Sequence, residues 1–303
     1  PPAASAAGST IRDKVIAAIA AHEALDGLAL AGADLSDLDL GGRSFAGQNL
    51  RGALFCRADL SKASFVGAQL LDADFTDAVL TSADLSKANL AGASFRGASL
   101  REARLHNARG ASTVFDGAKL EGASAEGAEL EKASLAKVEA EGSNWDRAVL
   151  NGSIWTGAKL KGASMLRATV NQADFSGADL SETKLQRMTG EGVGLAGANL
   201  EGTDLRRSIL TDASFEDASF TKASADKADL SRSRLTRADL RGSSLRGTTL
   251  KGVILVQAKL DGTDLRDYAK SNLERILARV PGVGEVEVFG GGYAMRVWLN
   301  PEK

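Results

Sequence analysis

The 303-residue sequence contains little of what disulfide-stabilised and metal-binding proteins need. It has one cysteine, four prolines, two histidines and 5% aromatic residues. The single cysteine, Cys56, excludes an internal disulfide. The histidines, His22 and His106, lie far apart without nearby Cys, Asp or His at metal-ligand spacing. No run of 18 apolar residues is present, so we expect no membrane insertion of this chain. We therefore expect no metal site and no cofactor.

Catalytic residues are also missing from the pattern. The many serines occupy one repeating small polar position, and no general base accompanies them. The glycines of residues 282–284 and 290–292 separate strand-like segments instead of preceding a helix, unlike phosphate-binding loops. We predict that the protein is not an enzyme and has no catalytic residues, no cofactor-binding residues and no small-molecule substrate.

A period of five residues dominates the chain instead. Between Leu30 and Leu265, 48 consecutive pentapeptides place an apolar or small residue at the centre, and 30 of these residues are Leu and nine are Phe. Ala lies two residues before the centre in 30 units, and Gly two residues after it in 22. Neither a helix nor a plain strand has this period. The pattern predicts a chain that turns a corner every five residues and stacks on itself to pair its backbone.

Units such as Ala83-Asp84-Leu85-Ser86-Lys87 resemble the pentapeptide-repeat family, whose consensus is A(D/N)LXX. The resemblance covers residues 28–267. It implies an all-β fold, a right-handed quadrilateral parallel β-helix, in which four units form one coil and residues 20 apart stack. For 48 units this gives about twelve coils. When the central residues are grouped by their position within a 20-residue coil, most of the aromatics lie on one side of the square. These are Phe55, Phe75, Phe95, Phe115, Trp155, Phe175 and Phe215.

The N-terminal end departs from the repeat. Residues 1–10 have the Pro, Ala, Gly and Ser composition of a linker. Residues 11–26 are predicted to form a helical cap, because Thr10-Ile11-Arg12-Asp13 resembles a capping box and Gly27 follows as a stop. The apolar stripe of this helix is expected to consist of Ile11, Val15, Ile16 and Ile19. The β-helix is assigned to residues 28–266.

Residues 267–303 form a different module. We predict a helix over residues 267–280 with an apolar face of Leu273, Ile276, Leu277 and Val280. If the module is a cap, this face should lie on last coils that bury Leu245, Leu250, Leu255, Leu260 and Leu265. If it is a grafted fragment, the face should be partly exposed or packed on its own hairpin through Val286, Val288, Val297 and Leu299. Strands over residues 283–289 and 293–299 should form a hairpin around three glycines. The module resembles the periplasmic porter region of resistance-nodulation-division (RND) efflux transporters. Three origins stay open: a fusion, a fragment of a larger chain, or a borrowed cap.

Charge suggests where partners could bind. Residues 28–267 contain 32 acidic and 30 basic side chains, which argues against the one-signed surface of a DNA mimic. Residues 121–141 are rich in acid, and residues 232–251 in base. We predict partner docking at Arg232, Arg234, Arg237, Arg241, Arg246, Lys251, Glu121, Glu126, Glu129 and Glu131, with ordinary solvated faces as the alternative. Aromatic residues are absent from the outward positions, so nucleic-acid binding is not expected.

Two functions follow. The first is a non-enzymatic scaffold that binds a protein partner. The stretch from Ile11 to Leu40 resembles pentapeptide modules of accessory proteins in bacterial type VI secretion, which suggests a secretion or envelope system. The alternative, implied by the family, is a DNA-mimicking inhibitor of DNA gyrase. The repeat region is expected in the bacterial cytoplasm, or in the periplasm if the C-terminal resemblance reflects the native context.

Overall fold

The computed structural model describes residues 10–265 and the backbone of two later strands, residues 283–289 and 294–299. The chain divides into two compact units, Pro1–Trp155 and Thr156–Lys303. Helix α1 spans Ile11–Ala20. Strand β1 spans Thr189–Glu191, β2 Ile209–Thr211, β3 Val283–Phe289 and β4 Ala294–Leu299. The predicted helix over residues 267–280 lies outside the described residues.

Each pentapeptide makes one side and one corner of a coil. At a typical corner the amide of Ala78 donates to the carbonyl of Phe75 at 3.0 Å, and Asp77 between them has a φ of 57°. Positive φ at the second central residue is what a type II turn requires. All 47 residues of this slot between Gly32 and Gly262 have positive φ, and 25 of them are not Gly. None of the 25 is β-branched, because a branched side chain is most strained in this conformation.

Coils stack in parallel with an offset of four pentapeptides in both units. Leu54 pairs with Asp74, and Ser94 pairs with Val114. Each side gives two hydrogen bonds of this kind: the amide of Phe75 donates to the carbonyl of Ser94 at 2.7 Å, and the amide of Ser94 donates to that of Ala73 at 2.9 Å. In the second unit, β1 and β2 are parallel with Gly190 opposite Leu210. The predicted four-unit coil is therefore confirmed within each unit.

The core contains the central residue of each unit and the residue two positions earlier. The predicted aromatic stack is present in the first unit. Phe75 and Phe95 have ring centroids 4.7 Å apart and planes 2° apart, and Phe55 and Phe115 extend the stack at 4.8 Å and 5.0 Å. Phe45 and Phe65 stack on the opposite side and meet these rings edge to face. All of these rings are fully buried.

Helix α1 has the predicted capping box, since Thr10 and Asp13 bond each other's backbone amides. Its predicted extent was wrong. The helix ends at Ala20 because His22 has a φ of 57°, and the amides of His22 and Glu23 return to the carbonyls of Ile19 and Ala18. This is a Schellman motif with His22 in the position that Gly often occupies. Gly27 has positive φ but lies beyond the helix.

The predicted apolar stripe of α1 was partly wrong. Val15 and Ala18 are buried, whereas Ile16 is 44% exposed. Ile16 follows Val15 directly and is turned about 100° away from it, whereas Ala18 is three residues on and shares the Val15 face. Arg12 of this helix donates to the carbonyls of Asp34 and Ser36, both at 2.9 Å. The helix is therefore bonded to backbone acceptors of the first coil.

The other end of the described repeat region is less well covered. Leu245 and Leu250 are buried, but Leu255, Leu260 and Leu265 are only partly buried, contrary to the expectation. Within the described residues no further coil stacks on them. The predicted hairpin is confirmed, since β3 and β4 pair antiparallel with Val286 opposite Val297. The predicted residues Leu273, Ile276, Leu277 and Val280 lie outside the described part of the chain.

Candidate partner-binding surfaces

Hydrogen bonds between a side chain and a backbone amide two residues later fix the outward corners. The Oδ1 atom of Asp74 accepts from the amide of Thr76 at 2.9 Å, and Asp174 accepts from Ser176 in the same way at 2.9 Å. This is an Asx turn, in which the side chain replaces one backbone hydrogen bond of the turn. The Asp or Asn that precedes the centre of many units therefore has a structural role and is not free to bind a partner.

Ion pairs between neighbouring coils neutralise much of the remaining charge. Arg57 reaches Asp37 at 2.7 Å, Arg232 reaches Asp212 at 2.5 Å and Arg237 reaches Asp217 at 2.6 Å. The hydrogen bond from Arg232 holds the pKa of Asp212 below its usual value of 3.8. The side chain of Arg237 lowers the pKa of Asp217 in the same way. Because the partners are exposed, each pair contributes little free energy but fixes the direction of both side chains.

The six predicted basic docking residues do not share one face. They span a complete coil and lie on all four of its sides, although Arg232 and Lys251 meet at one corner, where the Arg232 amide donates to the Lys251 carbonyl at 2.8 Å. Five of the six also pair with a carboxylate. The pairs are Arg232 with Asp212, Arg234 with Glu216, Arg237 with Asp217, Arg241 with Asp239 and Arg246 with Asp264. Their role in docking remains a prediction.

The four predicted acidic docking residues are also distributed around the coil. Glu121 pairs with Arg101 at 2.7 Å, and Glu126 and Glu129 have Arg partners at 3.4 Å. Glu131 accepts from the Asn151 side chain at 3.2 Å. Burial tends to raise the pKa of Glu121, but its hydrogen bond with Arg101 lowers the pKa overall. Only Glu129 and Glu131 flank the same side, so docking by these residues also stays a prediction.

One row of charge was missed by the sequence analysis. Arg167, Arg187, Arg207 and Lys227 follow one another at intervals of 20 in the second unit, and we call them the basic ladder. All four are exposed and occupy the positive-φ corner slot, with φ between 59° and 61°. In the described part of the chain none of them forms an ion pair within 4.0 Å. The signal for this row in the sequence is the same 20-residue spacing that relates the stacked aromatics.

A shallow groove is lined by three of the four residues of the basic ladder. It has a volume of about 360 Å³, and its lining residues are Gln186, Arg187, Arg206, Arg207, Asp226 and Lys227. Two of the lining residues are already engaged, since Arg206 pairs with Asp204 at 2.5 Å and Asp226 accepts from the Arg246 amide at 3.1 Å. The cations of the groove that have no ion-pair partner within the described residues are therefore Arg187, Arg207 and Lys227.

The remaining reactive side chains have structural roles in the described residues. His106 lies 2.7 Å from the hydroxyl of Ser124. Burial, together with Asp74 nearby, raises the pKa of Cys56, which disfavours the reactive thiolate. No group of three or more His, Cys, Asp or Glu side chains in the described chain is placed to hold a metal ion. None of the helices described there has the length and hydrophobicity that crossing a bilayer requires.

Comparison with known families decides what these coils are. The family model "Pentapeptide repeats" matches residues 44–77, 73–109, 113–152, 146–187, 191–224, 198–237 and 228–267, which together exceed half of the chain. The chain belongs to the pentapeptide-repeat family. Its repeat region is accordingly a right-handed β-helix solenoid, and proteins of this family act as protein-binding modules.

Solved structures of pentapeptide-repeat proteins are similar to parts of this chain. HetL, described as involved in heterocyst differentiation regulation in Nostoc sp. strain PCC 7120, is 28% identical with a TM-score of 0.35, over 82% of this chain and 94% of its own. QnrB1, described as a plasmid-mediated fluoroquinolone resistance protein, is 20% identical with a TM-score of 0.29, over 80% of this chain and 97% of its own.

The curated relatives support the C-terminal resemblance to RND efflux transporters. The multidrug resistance protein MdtF of Escherichia coli K12 is 50% identical over 44 residues, or 14% of this chain. The solvent-resistant pump membrane transporter SrpB of Pseudomonas putida is 49% identical over 45 residues, or 15% of this chain. This chain spans only 4% of the length of either transporter.

Proposed function

We propose that this chain is a non-enzymatic scaffold that binds a protein partner through side chains held at fixed positions on its coils. The supporting observation is the outward surface, where Asx turns such as that of Asp74 and cross-coil ion pairs such as Arg237 with Asp217 fix side-chain directions. A surface that is already ordered loses little conformational entropy when a partner binds. An accessory role in a bacterial secretion or envelope system belongs to the same proposal.

The proposal includes α1 as a cap and a total of about twelve coils, as 48 units in groups of four imply. In interior coils, the backbone carbonyl at the position equivalent to Asp34 accepts a hydrogen bond from the preceding coil. The Leu54 carbonyl, for example, accepts from the Leu35 amide at 2.7 Å. The first coil has no predecessor, and Arg12 supplies the missing donors. Covering such an edge prevents pairing between copies of the chain.

Inhibition of DNA gyrase by DNA mimicry is the second candidate. It is tested by a supercoiling assay with purified gyrase and the full chain. We expect no inhibition at about micromolar protein, because the carboxylates that a mimic would present are paired with Arg, as Glu121 is with Arg101. Inhibition that is lost when Glu126 and Glu129 are changed to Lys would establish the mimic instead.

The scaffold itself is tested by binding to a purified partner. The full chain is first immobilised, and the proteins that bind to it are identified. Each of these proteins is then purified and titrated against the chain by calorimetry. The proposal expects at least one partner with saturable, stoichiometric binding. Retained proteins that all fail to saturate in titration would contradict a scaffold, and turnover of a small molecule by the purified chain would contradict its non-enzymatic character.

A further inference from the structure

The basic ladder is an exception to how charge is arranged on these coils. Several other turn residues one coil apart carry opposite charges and bond each other, as Asp212 does with Arg232 and Asp37 with Arg57. In the ladder, four cations occupy consecutive coils, and no carboxylate of the described residues is paired to any of them. The difference is not one of backbone, because Arg207 and Arg232 have φ values of 61° and 60° in the same slot.

This arrangement opposes stability. Neighbouring coils are about 4.8 Å apart, and like charges directly opposite each other on neighbouring strands are destabilising. A Glu at position 187 would create an opposite-charge pair of the kind that Asp212 makes with Arg232, and the slot accepts Glu, since Glu182 has a φ of 58°. Stacked cations that are not paired with a carboxylate are therefore available to an anionic ligand.

We propose that the basic ladder binds an extended acidic segment of a protein partner; this rests on the proposed scaffold function and names its binding surface. The four cations span three coil spacings, roughly 14 Å. An extended peptide rises about 3.4 Å per residue, so about five residues follow the whole ladder. Two residues after each central Arg, Thr189 of β1 and Ile209 of β2 lie side by side, and Ile209 is 48% exposed. Ile209 therefore offers one apolar contact beside the charges.

The same surface suits nucleic acid poorly. Binding of single-stranded nucleic acid usually combines cations with aromatic side chains that stack on bases. Every Phe and Trp between residues 10 and 265 is buried. The groove also contains Asp226, whose carboxylate would repel a continuous phosphate backbone. A peptide can place its acidic side chains on the ladder and a neutral residue opposite Asp226.

The test measures fluorescence anisotropy of a labelled acidic peptide of about six residues, with a neutral Ser between its Glu residues, with the full chain at about 50 mM salt, where exposed charges are weakly screened. Two variants change the two central cations of the ladder: Arg187→Glu/Arg207→Glu and the milder Arg187→Gln/Arg207→Gln. The matched control is Lys62→Glu/Lys87→Glu, which makes the same charge change at exposed basic residues of the same corner slot. A labelled ten-nucleotide DNA strand is the second probe.

We expect the Glu variant to weaken peptide binding about tenfold and the control less than about twofold. The melting temperature of Arg187→Glu/Arg207→Glu should be equal to or above that of the parent, because the repulsion between stacked like charges is relieved. Absence of peptide binding by the parent, or equal loss in ladder and control variants, would overturn the proposal. Tighter, ladder-dependent binding of the DNA would replace it with a nucleic-acid surface. If a purified partner binds saturably and its affinity is unchanged by Arg187→Glu/Arg207→Glu, the ladder proposal is wrong but the scaffold proposal is not affected.

Discussion

At the scale of single residues, the small inward position of each unit is adjusted to the large one. Ala is usual there, but Ser143 precedes Trp145 by two residues and its hydroxyl accepts from the indole Nε1 at 2.6 Å. Ser153 does the same for Trp155 at 2.8 Å. All four side chains are buried. Since a buried indole N–H needs an acceptor, Ser is required beside Trp in this core.

Replacing Ser143 with Ala should lower the free energy of unfolding by about 1–3 kcal/mol, because the Trp145 N–H would be left buried without an acceptor. Denaturant unfolding of Ser143→Ala, Trp145→Phe and the double variant measures this. Phe has no N–H, so Ser143→Ala should cost much less in the Trp145→Phe background. An equal cost in both backgrounds would mean that the indole bond contributes nothing.

At the scale of the structural element, a coil is stabilised by the coils that touch it. Phe95 lies between Phe75 and Phe115, with ring centroids 4.7 Å and 5.0 Å away. In repeat proteins stability is approximately a sum of contributions within repeats and between nearest neighbours. Damage to one ring should therefore be felt mainly in the adjacent coils.

Changing Phe95 to Ala should cost about 3–5 kcal/mol, the usual effect of removing a buried aromatic ring. Amide hydrogen exchange of the variant should accelerate most in residues 70–120 and little in the second unit. A uniform acceleration over the whole chain, or none, would show that coils are not coupled through their neighbours.

Ion pairs between coils should make stability sensitive to acid. The pKa values of Asp212 and Asp217 are lowered by hydrogen bonds from Arg232 and Arg237. A carboxylate with a lowered pKa in the folded state stabilises the fold fully above its usual value of 3.8, and this contribution is lost as the pH falls through the lower, folded pKa.

These pairs should raise the melting temperature by a constant amount above about pH 5. This increase should become smaller only below the usual Asp pKa of 3.8. The comparison is with Asp212→Asn/Asp217→Asn, which should be less stable than the parent at neutral pH and should converge with it in acid. A constant difference between the two proteins down to acid pH would contradict the lowered pKa values.

Much of this fold could be predicted from sequence, because a period of five recurs without interruption and the aromatics Phe55, Phe75, Phe95 and Phe115 recur at every fourth unit. The end of α1 could not, since a non-glycine residue, His22, takes the left-handed position. The surface was harder still. Residues that are close in sequence, such as Arg232 and Arg241, turn to different sides of one coil, whereas Arg187 and Arg207 share a corner although a full coil separates them in sequence.

At the scale of the whole molecule, a repeat region with 32 acidic and 30 basic residues is close to neutral, so its net charge gives no hint of a binding surface. The coil period determines which charges cancel and which accumulate. Cancellation dominates, as in the pairs of Arg57, Arg101 and Arg232, whereas charge accumulates along the basic ladder. Both the core and the proposed binding surface therefore depend on the stacking of residues that lie one four-unit coil apart.

Disulfide trapping measures that stacking most directly. In a Cys56→Ser background, Ser94→Cys/Val114→Cys joins residues that pair between coils, and neighbouring coils are about 4.8 Å apart, within the range that a disulfide spans. The control Ser94→Cys/Lys119→Cys is offset by one further pentapeptide, as a coil of five units would require. We expect rapid oxidation of the first pair and little of the second under mild oxidant. Faster oxidation of the control pair, or no difference between the two, would contradict a four-unit coil.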